Sequence, residues 1–304
     1  MSGARPMPVE IGIGAAIVAV RGGAPAILAS GDALPSGPFD PRVHRTFEQA
    51  LRQWSREQTG VQLGYVEQLY TFGDRGRHSL AGASDAGEGP HVVSVGYLAL
   101  ARPDGETGAE WRDWYDLFPW EDWRQGRPPV MDRIAARLAD WADSDAARRA
   151  RVALNFPMEE AGFDEERALD RYELLYDAGA VPEAVRDGRD GAGDTVPGTP
   201  MRHDHRRIVA TAIARLRAKL RYRPVIFELV PDAFTLTELQ HAAEAIAGRA
   251  LHKGNFRRLI ERAGLVEPTG RQTPGTGGRP AALYRFRRAI VREKPATGIG
   301  PGRR

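Results

Sequence analysis

Apolar positions in the first half of the chain follow two rhythms, one of strands and one of helices. Ile11, Ile13, Ile17 and Val18 alternate loosely with small residues, and Arg21-Gly22-Gly23 supplies a turn, so Glu10 to Leu28 reads as a strand pair. Pro35 to Pro41 reads as a loop. Phe47, Ala50, Leu51 and Trp54 then recur at three- and four-residue spacing, which predicts a helix over 46–58 with Gly60 as its C-cap. Residues 61–72 are strand-like, 73–90 form a glycine-rich loop, and 92–100 form a second strong strand. The stretch Trp111 to Trp123 holds four tryptophans, and helices follow over about 130–142 and 165–177. Residues 187–200 are rich in Gly, Asp and Pro and lack periodicity, as an interdomain linker does.

The last hundred residues carry a denser helical pattern. Ile208, Ala212, Leu216 and Leu220 line one face of a helix over 204–221, which Pro224 ends. Thr235 and Glu238 have capping-box spacing and open a helix that buries Leu239, Ala242, Ala243 and Ile246 and stops at Gly248. A third helix runs from about His252 to Gly264, with Phe256, Leu259, Ile260 and Ala263 inside. Its outer face offers Lys253, Asn255, Arg257, Arg258 and Arg262. Residues 265–267 and 280–286 then suit a two-stranded hairpin around a polar, glycine-rich loop carrying Arg271 and Arg279. Two helices joined by a tight turn, followed by a hairpin, give a winged helix-turn-helix. Arginine reads guanine and asparagine reads adenine in the major groove, while lysine holds phosphate. The same fold also serves as a protein-contact module, and exposed cations on the third helix favour DNA.

Charge sharpens that picture. The net charge is only +3, yet 13 of the 43 Lys and Arg lie from Leu251 onward, against 3 of the 40 Asp and Glu. A basic segment behind an acidic body is the electrostatic footprint of a nucleic-acid-binding module. From Lys253 to Arg288 the charges interleave with core residues; from Glu293 to Arg304 they do not, and that stretch reads as a solvated tail. No run approaches the ~20 apolar residues of a membrane span, and no secretory signal is visible. With no cysteine, thiolate metal sites are excluded, and a cytoplasmic setting is the expectation.

Three stretches resemble the helix-turn-helix region of the Nudix-related transcriptional regulators of NAD metabolism: Phe227 to Gln240, Asn255-Phe256-Arg257-Arg258, and Gly278 to Phe286. Gln68 to Asp74 and Val93 to Leu100 resemble the Nudix-like domain of the same regulators, and the Trp-rich segment is most similar to their alphaproteobacterial NadQ branch. The resemblance implies an α+β fold, with an N-terminal Nudix-like α/β/α sandwich around a mixed sheet and a C-terminal winged helix-turn-helix. The corresponding boundaries are a sensor over 1–185, a linker over 186–202, the DNA-binding domain over 203–292 and a disordered tail over 293–304. It further implies a repressor acting as a homodimer on a palindromic operator near NAD biosynthesis genes. An effector such as NAD, ADP-ribose or ATP would modulate it.

The sequence departs from the family pattern in the Nudix box. Aligned on Gly60-Val61, the box Arg-Glu pair falls on Gln53 and Trp54, the Glu-Glu pair on Glu57 and Gln58, and the upstream Glu on Arg45. Glu48 stands nine residues from Glu57, about 2.5 turns of helix, so the two point to opposite faces. One carboxylate cannot cage the Mg²⁺ that pyrophosphate hydrolysis needs. No catalytic residue is therefore expected; an active hydrolase of a substrate such as ADP-ribose is the alternative. Arg21, Gln68, Tyr70, Asp74, Arg77 and Tyr97 are the effector candidates, and the same residues would also suit ordinary sheet positions. Gly12-Ile13-Gly14 reads as a glycine-containing strand rather than a dinucleotide fingerprint. His203-x-His205 reads as a solvated pair rather than a metal site. Asp113, Asp116, Glu121 and Asp122 among the tryptophans suit either a ligand contact or packing at the sheet edge or a dimer face.

Overall fold

The computed structural model describes residues 9–73, 91–102, 110–157, 159–189, 194–273 and 280–289. Along the chain run β1 (Val9–Arg21), β2 (Ala24–Ala29), β3 (Ser36–Pro38), α1 (Phe47–Thr59), β4 (Val66–Phe72), β5 (His91–Leu100) and β6 (Glu110–Asp113). Helices α2 (Trp114–Leu117), α3 (Met131–Ala142), α4 (Ala146–Asn155), α5 (Ala168–Asp177), α6 (Pro182–Arg186) and α7 (His205–Leu220) follow. The chain continues with α8 (Leu236–Ala247), α9 (Lys253–Ala263), β7 (Val266–Gln272) and β8 (Ala282–Phe286).

The sheet order is β4-β5-β1-β2-β6, with β3 also on β1. Strands β1 and β5 pair in parallel, from Val9↔His91 to Val18↔Leu100, and the other pairs are antiparallel. The sheet is thus mixed, and helices cover both faces. On one side Ile13, Ala15, Ile17, Val95, Tyr97 and Ala99 pack against Ala50, Leu51 and Trp54 of α1. On the other, Ala16, Val18, Leu98 and Leu100 join the core that includes α5 and α7. A strand buried on both faces needs apolar side chains throughout rather than alternation.

Small residues on β1 and β5 decide where α7 lies. A Cβ added at Gly14 would stand 3.7 Å from Ile208 Cδ1, and one at Gly96 would stand 3.5 Å from Ile208 Cγ2 and 2.7 Å from Phe72 Cε2. Gly12-Ile13-Gly14 is thus strand, as expected, and Gly14 and Gly96 form a seat for a helix. Helix α7 is consequently a layer of the sandwich and not the first helix of a separate C-terminal module. Twelve of its sixteen residues are buried, and Lys219 and Arg215 pair with Glu67 of β4 at 3.1 and 3.7 Å.

The described part of the expected linker is strapped down as well. Val196 and Met201 are buried. The backbone N–H groups of Val196, Thr199 and Arg202 donate to the carbonyls of Ala180, Asp116 and Asp32, each at 2.8 Å. Composition suggested a free spacer, but these hydrogen bonds return the segment to the body. Helix α4 is an addition to the sequence reading: it begins on Asp145, which accepts from Ala147 N and Arg148 N, and exposes most of its length.

The tryptophan-rich segment is core. Trp114, Phe118 and Trp120 are fully buried and Trp123 nearly so. Asp116 is exposed, and the other three acidic residues are committed to partners within the protein. Asp113 caps α2 by accepting from Tyr115 N at 2.8 Å, and Asp122 is forked by Arg124. Glu121 is fully buried between Arg171, whose Nε and Nη2 donate at 2.5 and 2.8 Å, and Arg217. Burial alone pushes the Glu121 carboxyl up; the two guanidiniums overcome that and hold it below its ordinary value of 4.5. Its contribution to stability is therefore present above the ordinary range and is lost as acid brings the pH down through the lowered folded value.

Replacing Glu121 with Gln leaves two buried guanidiniums without a counter-charge. We expect a loss of about 3–5 kcal/mol, read as a lower urea midpoint near neutral pH. The gap from wild type should narrow as the pH falls below 4.5.

Candidate nucleic-acid interface and effector site

The C-terminal unit is built on local caps. Thr235 Oγ1 accepts from Glu238 N at 3.1 Å and Glu238 Oε2 accepts from Thr235 N at 2.6 Å, which completes the capping box of α8. Gly248, at φ 74°, ends α8, and Gly264, at φ 62°, ends α9; both lie in the left-handed region that favours glycine. Phe256 and Ile260 anchor α9 in the core while Leu259 and Ala263 pack at its edge.

That anchoring turns the candidate reading residues outward. Lys253, Asn255, Arg257, Arg258 and Arg262 are all exposed. Asn255 and Arg258 act as a pair, with Arg258 Nη2 donating to Asn255 Oδ1 at 2.5 Å. The side chain of His252 caps the helix by accepting from Asn255 N at 3.4 Å.

Strands β7 and β8 form the wing hairpin, in register from Val266↔Phe286 to Gln272↔Ala282. Phe234 adds a third piece of backbone by exchanging hydrogen bonds with Tyr284 at 3.0 and 2.8 Å. Strand β7 extends to Gln272, beyond the expected end at Glu267. The ladder survives Pro268 through a register shift, in which Gly270 takes φ 76°. Arg271 is exposed on this strand. Arg279 lies outside the described residues.

In the sandwich, α1 holds the positions on which the sequence resemblance places the Nudix box. Thr46 caps it and Gly60 closes it. Trp54, where the motif would have a metal-binding carboxylate, is buried against Gly37, whose added Cβ would meet the indole at 3.2 Å. Glu57 accepts from Gln53 Nε2 at 3.1 Å. Glu48 pairs with Arg52 at 2.9 Å, and Arg52 also donates to the Leu63 and Gly64 carbonyls at 2.8 and 3.2 Å. No cluster of three or more His, Asp or Glu suited to a metal occurs among the described residues. His205 is a core residue whose Nδ1 accepts from Leu34 N at 2.9 Å, not a solvated one.

The effector candidates divide. Gln68 and Tyr97 face each other across β4 and β5, with the phenol donating to Gln68 Oε1 at 3.4 Å. Tyr70 is exposed in the bulge between Gln68 and Thr71. Arg21 is elsewhere. It lies six residues along β1 from Ala15, the register partner of Tyr97, roughly 20 Å at strand rise, and stands over Trp111 at 5.5 Å. Asp74 and Arg77 lie outside the described residues.

Sequence reasoning missed the arginines on the outer face of α1. A crevice of about 570 Å³ runs along α1, lined by Thr46, Glu48, Gln49, Arg52, Gln53 and Arg56. Two arginines four residues apart on the box helix were the available signal.

Comparison with known proteins bears on both ends. Residues 226–286 match the family model described as the NrtR DNA-binding winged helix domain. Over those residues the C-terminal unit is similar to an NrtR-type winged helix. A curated relative from Acinetobacter baylyi, the ADPR responsive transcriptional repressor NtrR, is 47% identical over 83 residues, which span 27% of this chain and 33% of that protein. The chain thus matches about a third of that relative's length.

The whole fold resembles Shewanella oneidensis NrtR complexed with a 27mer DNA, at TM-score 0.54 and 20% identity over 91% of this chain and 93% of that one. It also resembles a MutT/nudix family protein from Enterococcus faecalis, at TM-score 0.51 and 16% identity over 93% and 90%. The expected α+β architecture and the resemblance to Nudix-related regulators are both borne out. The match to the family model begins at residue 226, after α7, in keeping with the packing of that helix on the sheet.

The contact between α1 and the sheet is open to measurement. Burial raises the Tyr97 phenol above its ordinary value, and the nearby Glu48 carboxylate raises it further. Glu48→Gln should shift Tyr97 ionisation to lower pH, read by NMR of the labelled tyrosine ring; an unchanged titration would separate the two residues.

Proposed function

We propose that this chain is a DNA-binding transcriptional repressor of NAD biosynthesis genes, acting in the cytoplasm as a homodimer on a palindromic operator. The observation that carries this reading is α9, a helix anchored by Phe256 and Ile260 whose exposed face holds Lys253, Asn255, Arg257, Arg258 and Arg262 beside a hairpin wing. The match over residues 226–286 and the curated repressor support it. Asn255 and the arginines are assigned to base edges, and Lys253, Arg271 and Arg279 to phosphates. Residues 226–286 form the core of the reading head, and residues 9–220 form the sensor body.

The effector is an adenine nucleotide bound over the sheet face that carries Gln68, Tyr70 and Tyr97. ADP-ribose is the first choice, because the curated relative is described as ADPR responsive; NAD and ATP are the others. Binding would act by linkage: a nucleotide that prefers one state of the dimer shifts operator occupancy. The sensor does not hydrolyse its ligand, since Trp54 and Gln53 stand where metal-binding carboxylates would be needed.

Fluorescence anisotropy on DNA upstream of the host's NAD biosynthesis genes, with scrambled DNA as control, tests the reading. We expect selective binding that one of ADP-ribose, NAD or ATP shifts. Arg257→Ala and Arg258→Ala should each weaken it by about 1–3 kcal/mol where the residue reads a base. Lys253→Ala should instead lower the log-log salt slope by roughly 0.9. Full affinity in both arginine variants would remove α9 as the reading helix.

A hydrolase assay separates the alternative. ADP-ribose with Mg²⁺ should turn over no faster than the blank; turnover that Glu57→Gln abolishes would make the protein an enzyme.

A further inference from the structure

Helix α8 is the first helix of the helix-turn-helix, and the last carbonyls of any helix lack partners within it. Here the sensor supplies them. Tyr115 Oη donates to Ala245 O at 2.7 Å. Arg217 Nε donates to Ile246 O at 2.9 Å, and the backbone N–H of Trp123 donates to Gly248 O at 2.7 Å. Trp123 and Arg249 also form a parallel bridge. A guanidinium at this end opposes the negative pole of the helix dipole.

Arg217 has no freedom of its own. It is fully buried on α7. Beyond its ion pair with the Glu121 carboxylate, it donates to the Glu121 carbonyl at 3.2 Å and the Glu165 carbonyl at 3.1 Å. Glu121 is gripped in turn by Arg171 of α5. Space is equally restricted: a Cβ at Gly248 would stand 2.4 Å from Glu121 O, 2.6 Å from Arg217 Nη2 and 3.0 Å from Tyr115 Oη. One guanidinium thereby joins the tryptophan-rich segment, α7 and the reading head.

We infer that Arg217, with Tyr115 and Trp123, is the positioning device of the reading head: the sensor body supplies the C-cap of α8 and so sets the angle at which α9 is presented. This rests on the regulator reading. The sensor and the head of one protomer then move as one body, and the distance between the two heads of a dimer is set by the sensors.

The test uses the full-length protein and Gly248→Ala, which crowds the cap without removing a buried charge. Gly60→Ala controls for strain alone, because Gly60 has the same left-handed backbone at φ 69° and nothing within 4 Å of an added Cβ. Tyr115→Phe removes one donor more gently. Affinity is measured by anisotropy on the bound upstream DNA, on a single half-site, and on operators respaced by one base pair.

Gly248→Ala is expected to lose at least tenfold in affinity for the native operator and to flatten the preference for native over respaced DNA. It should keep half-site affinity within about threefold, and Tyr115→Phe should fall between it and wild type. Wild-type spacing preference in Gly248→Ala, or an equal loss on half-site and full operator, would overturn the positioning role. Wild-type protein that selects no upstream DNA would instead overturn the regulator reading, and this role with it.

Discussion

One buried carboxylate organises this molecule. Glu121 is taken wholly out of water, a state that a carboxylate tolerates only when cations and hydrogen bonds replace its hydration. Arg171 and Arg217 do so, and each brings its own helix with it. The residues around Glu121 therefore cannot rearrange singly: moving α5, α7 or the tryptophan-rich segment would strand a charge in the core. A buried ionic cluster of this kind adds little net stability over a well-packed apolar one. Its effect lies in the single arrangement it permits, and in this chain that arrangement includes the end of α8.

The sandwich follows a complementary logic. Glycines on β1 and β5 let α7 approach the sheet on one face, while Trp54 fills the opposite face where a box carboxylate would stand. Whatever its outer face carries, α1 is needed to cover the sheet, and its apolar stripe of Ala50, Leu51 and Trp54 does so. Its outer face carries Arg52 and Arg56 beside Glu48.

The parts of this structure legible in the sequence are those whose signals are local. The capping box at Thr235, the glycine ends of α8 and α9, and the apolar stripe of α9 all lie within a turn or two of the residues they organise. The facing of Gln68 and Tyr97 follows from alternation along strands. Contacts across long stretches of chain were not legible. Arg217 meets Glu121 across 96 residues, and nothing near either residue announces the partner. The placement of Arg21 failed for a related reason: alternation gives the face of a strand but not how far along it a neighbour sits. One clue to α7 was present. Behind its apolar stripe of Ile208, Val209, Ala212, Ile213 and Leu216, the other side carries Ala210, Ala214 and Ala218, and apolar residues all round mark a buried helix rather than one on a surface.

The distance in sequence between Glu121 and Arg217 also imposes an order of assembly. A growing chain emerges from its N-terminus and folds as contacts become available. When residue 121 appears neither of its cations yet exists, and β1 has waited through some eighty residues for its parallel partner β5. The sandwich can close only after α7 has been made, because α7 packs on β1, β4 and β5 and carries Arg217. The C-terminal unit is synthesised next and completes the core through α8. Maturation of this protein thus runs from body to head, and a nascent chain halted before α7 exposes the sheet face that α7 would cover.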